Sequence, residues 1–67
     1  MTQKEYIENV RAEHGTILLN KKQAAKELGI SVNGLDNLRH DGEIKFITIG
    51  NRVKFNASDI AKFINLK

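Results

Sequence analysis

The chain has 67 residues, and this length predicts one small domain over residues 1–67. It contains no cysteine and no proline. The lack of cysteine excludes disulfides and cysteine-based zinc sites. No apolar run of about 18 residues and no signal-peptide pattern occurs, so we expect a soluble chain in the cytoplasm, without a membrane partner. The net charge is +3, and residues 20–67 hold nine Lys or Arg against five Asp or Glu. Such a basic segment suits an anionic partner such as nucleic acid.

The first predicted element is a helix within residues 1–15. Thr2 and Glu5 have the spacing of a capping box, and Gly15 ends the helical pattern. The narrow apolar stripe between them either enlarges a small core or forms a contact surface for a dimer or partner protein. We interpret His14 as a favourable group at the negative end of the helix dipole. It lacks companion ligands in sequence, so we expect no metal site.

Residues 20–42 have the pattern of a helix-turn-helix. Asn20 is a good N-cap, Gly29 can end the first helix in the left-handed conformation, and Ser31 caps the second helix. Each helix carries an apolar stripe that can face its neighbour. An ordinary αα-hairpin has the same spacing, so this segment by itself leaves that alternative open.

Residues 44–55 alternate as a β-hairpin that turns at Gly50 and Asn51, which suits a two-residue type II′ turn. We predict one apolar face packed on the helices and one basic face turned to solvent. The predicted inward residues are Ile47, Ile49, Val53 and Phe55, and the predicted outward residues are Thr48, Arg52 and Lys54.

The last predicted helix lies within residues 56–66, capped by Asn56. The predicted fold is therefore mainly α with a β-hairpin, in which three main helices and the hairpin surround one core. The predicted core contains Ala25, Leu28, Ile30, Leu35, Leu38, Ile47, Ile49, Val53, Phe55, Ile60 and Phe63.

The sequence shows no pattern typical of catalysis. It has no Gly-rich phosphate loop, Walker pattern or nucleophile elbow. The nearby acids Asp36, Asp41 and Glu43 are better explained as helix-end and solvated charges than as a general acid–base pair, which would need a pocket. We therefore predict that the chain is not an enzyme and that it binds no cofactor.

Three stretches together resemble a known family. They are the run from Ala24-Ala25 to Gly29-Ile30-Ser31, the helix end from Leu38 to Gly42, and the hairpin at Ile49-Gly50-Asn51-Arg52-Val53. They resemble the excisionase-type winged helix-turn-helix proteins, whose fold is related to the DNA-binding domain of MerR regulators. The resemblance covers about residues 17–66 and implies a winged helix-turn-helix with an extra N-terminal helix. It also implies that the second helix enters the major groove and that the wing lies on the neighbouring backbone or minor groove.

The resemblance directs attention to two sets of DNA-binding residues. On the outward face of the second helix lie Asn33, Asn37 and His40, of which the asparagines can pair bidentately with adenine. Four cations can contact phosphates: Lys21 and Lys22 at the start of the first helix, with Arg52 and Lys54 on the wing. A solvated polar helix face and ordinary solvated cations are the alternatives.

Two functional hypotheses follow. Small members of this family bind DNA beside the recombinases of phages and integrative elements, and others regulate transcription. The first hypothesis is thus a protein of a phage or mobile element that binds double-stranded DNA. It would act as an excisionase-like recombination directionality factor or as a small regulator. Whether it forms homo-oligomers on DNA is left open. The second is an accessory subunit that docks on a larger replication enzyme or recombinase through Tyr6, Ile7 and Phe46.

Overall fold

The computed structural model describes all of residues 1–67, which form four helices and a three-stranded antiparallel sheet. The elements are α1 (Gln3–His14), β1 (Leu18–Leu19), α2 (Lys21–Leu28), α3 (Val32–His40), β2 (Ile47–Ile49), β3 (Arg52–Asn56) and α4 (Ala57–Phe63). The strand order is β1-β3-β2, so β3 is the central strand. The predicted winged helix-turn-helix with an additional N-terminal helix is confirmed. None of the four helices has the length and apolar character needed to span a bilayer.

The first two helices begin at the caps that the sequence predicts. Thr2 and Glu5 form a complete capping box at α1, and Asn20 and Gln23 form another at α2. Each box satisfies N–H groups that the first turn of a helix cannot bond internally. Gly29 ends α2 with φ of 68°, a backbone conformation that favours glycine.

The later helices also begin at predicted caps. The Ser31 hydroxyl accepts a hydrogen bond from the Gly34 N–H at 3.0 Å, and the Asn56 side chain accepts one from the Ser58 N–H at 2.9 Å. Because Asn56 is also the last residue of β3, that strand runs into α4 without an intervening loop.

Helix α1 packs mainly on α4, and it supplies buried residues to the core. Tyr6 is 8% exposed and Val10 is 1% exposed. The Gln3 side chain donates a hydrogen bond to the Leu66 carbonyl at 2.8 Å. Tyr6 is therefore not available as a surface anchor for a partner, as the second hypothesis expected, while Ile7 is half-buried against the core.

The core has as many residues as the sequence predicts, but their identity differs and more of them are alanine. Its buried residues are Tyr6, Val10, Leu19, Ala24, Ala25, Leu35, Ile44, Phe55, Ala57, Ile60 and Ala61. Among the predicted members, Ala25, Leu35, Phe55 and Ile60 are buried, and Leu28, Leu38 and Val53 are half-buried. The prediction is wrong for Ile30, Ile47, Ile49 and Phe63, which are 38, 42, 52 and 38% exposed.

Position explains two of these four errors. Ile30 lies in the turn between α2 and α3, so it does not fill the space between them. Phe63 ends α4, whose buried face is formed by Ala57, Ile60 and Ala61. Small residues let α4 approach its neighbours closely, and the phenylalanine remains at the edge of that contact.

The hairpin register explains the other two. Gly50 has φ of 62° and Asn51 has no positive φ, which suits the predicted type II′ turn. The register pairs Ile47 with Lys54, Thr48 with Val53 and Ile49 with Arg52. Directly paired residues project to the same face of a sheet. Ile47 and Ile49 therefore share a face with the two cations, and the predicted division into an apolar and a basic face is wrong.

Candidate nucleic-acid interface

A basic surface forms where the start of α2 meets the turn between β2 and β3. A groove with a volume of about 340 Å³ lies between these segments. It is lined by Asn20, Lys21, Lys22, Asn51, Arg52, Val53 and Lys54. We call this surface the basic groove. It brings together the four cations predicted to contact phosphates, although they come from two segments about thirty residues apart in sequence.

The sheet is what brings these two segments together. Strand β1 pairs with β3 through Leu18 with Asn56 and Leu19 with Phe55. Asn20 follows β1 directly and caps α2, so the first turn of α2 begins beside β3. The positive end of the α2 dipole is consequently added to the side-chain charges of the groove. Arg52 and Lys54 both belong to β3. The pairing of β1 with β3 therefore fixes how far these two cations lie from the lysines of α2.

The outward face of α3 carries a different chemistry. Asn33, Asn37 and His40 are all exposed there, as predicted. Their amide and imidazole groups can donate and accept hydrogen bonds without carrying a formal charge at neutral pH. This face can therefore present hydrogen-bonding groups to the edges of bases.

Asp36 lies at the edge of that face, and its charge is balanced within the protein. Lys21 Nζ is 3.1 Å from Asp36 Oδ1, and Arg39 Nη2 is 3.4 Å from the same oxygen. The hydrogen bond from Lys21 is the main reason that the pKa of Asp36 lies below its usual value. The sequence is interpreted as placing this aspartate among helix-end and solvated charges, but the structure shows it as an ionic link between α2 and α3.

Phe46 lies just before β2 and is 39% exposed. The Arg39 guanidinium carbon lies 5.0 Å from the centre of its ring, within the range of a cation–π contact. Arg39 thus interacts with both Asp36 and Phe46. Phe46 keeps some accessible ring surface, but one side of the ring is already engaged by a residue of α3.

A second polar cluster lies near the other end of α2, away from the basic groove. His14 Nε2 is 2.9 Å from Glu27 Oε2 and 3.3 Å from Glu13 Oε2. The Tyr6 hydroxyl donates to Glu27 Oε1 at 3.0 Å. Burial, together with this hydrogen bond, raises the pKa of Tyr6. Burial also opposes ionisation of Glu27, but its hydrogen bonds, led by the one from His14, outweigh that effect and lower its pKa.

The expectation that His14 lacks companion ligands is wrong. One potential ligand atom from each of Glu13, His14 and Glu27 lies within 4.8 Å of the others. A cation is compatible with that spacing. The hydrogen bond between the imidazole and Glu27, with Glu13 close beside it, accounts for the spacing equally well, and the cluster joins α1 to the helix-turn-helix in either case.

The same part of the fold is recognised by a comparison with known families. A family model described as a helix-turn-helix domain matches residues 18–65, from β1 to just beyond α4. Helix α1 lies outside the match. No curated protein matches the chain, and no solved structure matches it.

Proposed function

Because the chain belongs to this helix-turn-helix domain family, which includes excisionase-like DNA-binding proteins, we propose a specific role for it. It serves a phage or another mobile genetic element, either as an excisionase-like recombination directionality factor or as a small transcriptional regulator. In both roles it binds double-stranded DNA and performs no catalysis. Its local effect is to occupy a site and shape the DNA there.

The observation that supports this proposal most strongly is the basic groove. Lys21, Lys22, Arg52 and Lys54 line one concave surface, and no carboxylate residue lines it with them. Cations placed in this way neutralise phosphates and release the counterions that DNA condenses. We assign these four residues to the DNA backbone, where they hold the duplex without reading its sequence.

We assign base reading to the outward face of α3. Asn33, Asn37 and His40 lie about one turn apart, as residues that follow a groove do. Asparagine pairs bidentately with adenine through N6 and N7. With α3 in the major groove, the wing lies on the adjacent backbone or minor groove.

The alternative function, an accessory subunit docked on a larger replication enzyme or recombinase, has narrower support. Of its three predicted anchors, Tyr6 is buried and Ile7 is half-buried. Phe46 alone is exposed enough to enter a partner's pocket, and it already contacts Arg39. We therefore favour the DNA-binding function and retain Phe46 as the residue whose substitution tests the alternative.

A salt titration of DNA binding tests the assignment of the groove. Affinity for a duplex is measured between 50 and 200 mM salt for the wild type and for Arg52→Ala/Lys54→Ala. If each cation neutralises about one phosphate, the double variant binds all duplexes more weakly and its logarithmic salt slope falls by about two. Lys4→Ala/Lys62→Ala removes the same charge from exposed sites on α1 and α4 and serves as the matched control.

Selection from a randomised pool of duplexes then separates the two functions. The DNA-binding function predicts an enriched sequence at physiological salt. Absence of any preferred sequence, together with copurification of one larger protein that is lost in Phe46→Ala, would instead establish the accessory subunit.

A further inference from the structure

The wing exposes two isoleucines that the sequence predicts to be buried. Ile47 is 42% exposed and Ile49 is 52% exposed, and both belong to the edge strand β2. Their register partners, Lys54 and Arg52, are the two cations of the wing. The outer face of the wing is thus a pair of adjacent apolar side chains, each with a cation directly beside it.

The fold itself does not cover this face. Val53 is half-buried and Phe55 is fully buried, which shows that β3 directs these alternate residues toward the helices. Turning the isoleucines inward would require a register shift of one residue, and the two-residue turn prevents it. No element of residues 1–67 covers Ile47 and Ile49, so this face is open to contact with another molecule.

The neighbouring charges indicate the chemistry of that molecule. Directly paired side chains on a sheet lie about 5 Å apart, so a surface that covers the isoleucines also meets the two cations. A second copy using the same face around a twofold axis would bring like charges together. A DNA strand offers the complementary arrangement, because its deoxyribose rings present C–H groups and its phosphates carry negative charge.

We propose that Ile47 and Ile49 contact deoxyribose rings of the duplex while Arg52 and Lys54 contact the flanking phosphates. This inference rests on the proposed DNA-binding function and assigns part of the affinity to apolar contact. Such a contact releases water rather than counterions. Its loss therefore lowers affinity without changing the salt slope, which distinguishes it from the loss of a wing cation.

The test uses Ile47→Thr/Ile49→Thr in the full chain with duplex DNA. Threonine is β-branched and suits a strand, so the substitution removes apolar surface while preserving the backbone. We expect about a tenfold loss of affinity on every duplex at each salt concentration, with an unchanged slope. The heat-capacity change of binding becomes less negative, because less apolar surface is buried.

Two single variants complete the test, one on the wing and one as the matched control elsewhere on the surface. Ile49→Thr should lose several-fold in affinity, whereas Ile64→Thr, which alters a 41% exposed isoleucine beyond α4, should bind like the wild type. The single Ile49→Thr variant also keeps the test decisive if the double variant fails to fold.

The outcomes separate this inference from the function on which it rests. If the wild type binds duplex and Ile47→Thr/Ile49→Thr binds equally well at every salt concentration, the sugar contact is refuted and the DNA-binding function stands. A wild-type dimer in sedimentation that becomes monomeric in this variant, without loss of DNA affinity, would assign the face to a second copy. If the wild type binds no duplex, the proposed function itself fails.

Discussion

The basic groove and the outward face of α3 differ in how they arrange charge. The residues that line the groove carry no carboxylate of their own, although one of its cations, Lys21, pairs with Asp36 of α3. The outward face of α3 presents neutral polar groups instead. Phosphates are the same at every position of a duplex, and base edges are not. If the groove holds the backbone and α3 reads bases, as we propose, affinity and sequence discrimination depend on largely different residues, so each can be altered while the other is preserved.

The largest expected effect comes from removing the support that both regions share. Phe55 is fully buried on the central strand β3, so Phe55→Ala should lower the free energy of unfolding by about 3–5 kcal/mol. Phe63 was predicted to be equally buried but is 38% exposed, so Phe63→Ala should cost clearly less, about 1 kcal/mol. Urea denaturation followed by circular dichroism measures both. Equal losses would contradict the observed core.

Asn37→Ala tests whether the outward face of α3 reads bases. Loss of a bidentate base contact should reduce binding to the preferred site by about 1–3 kcal/mol and leave binding to random duplex nearly unchanged. Asn9→Ala, at an exposed position of α1, is the matched control. Competition binding with specific and random duplexes gives the ratio directly. An equal loss of affinity for the specific and the random duplex would show that Asn37 contacts the DNA backbone and not a base.

The smallest expected effect concerns the link between the two regions. Asp36→Asn removes the carboxylate that pairs with Lys21 and Arg39, so the charge of Lys21 is no longer neutralised within the protein and acts fully on phosphates in the groove. We expect tighter binding to all duplexes and a salt slope that increases by up to about one. Asp41→Asn removes the same charge at an exposed position and should change the slope less. Identical behaviour of the two variants would show that net charge alone matters.

Local features of this fold could be predicted because their causes lie within a few residues. The capping boxes at Thr2 and Asn20 each join residues three positions apart. The helix ends at Gly15 and Gly29 depend only on a residue that tolerates positive φ. Such signals need no knowledge of the tertiary structure, and the structure confirms them.

The hairpin faces were mispredicted although the sequence contained the information. A two-residue turn at Gly50-Asn51 places Ile49 opposite Arg52, so Ile49 cannot share a face with Val53. Hydrophobicity alone predicts that the apolar residues of both strands lie on one side of the hairpin. Turn geometry is the stronger constraint here, because it fixes the parity of every pair in the ladder.

The long-range contacts could not be predicted from a single sequence. The Tyr6 hydroxyl meets Glu27 across 21 positions, and Lys21 meets Asp36 across the helix-turn-helix. Nothing in the local pattern distinguishes these carboxylates from solvated ones. The predicted phosphate-binding cations were found in one groove only because β1 pairs with β3, and that pairing depends on the fold as a whole.

The position of β3 has a consequence for motion. Arg52, Val53 and Lys54 pair only with β2, whereas Phe55 and Asn56 pair with β1 and lead directly into α4. The outer part of the hairpin therefore has a neighbour on one side only, and we expect its amides to exchange with solvent faster than those of Phe55 and the core helices. A segment supported in this way can adjust its angle to a bound partner. The conformational entropy lost in that adjustment reduces the free energy gained from its contacts.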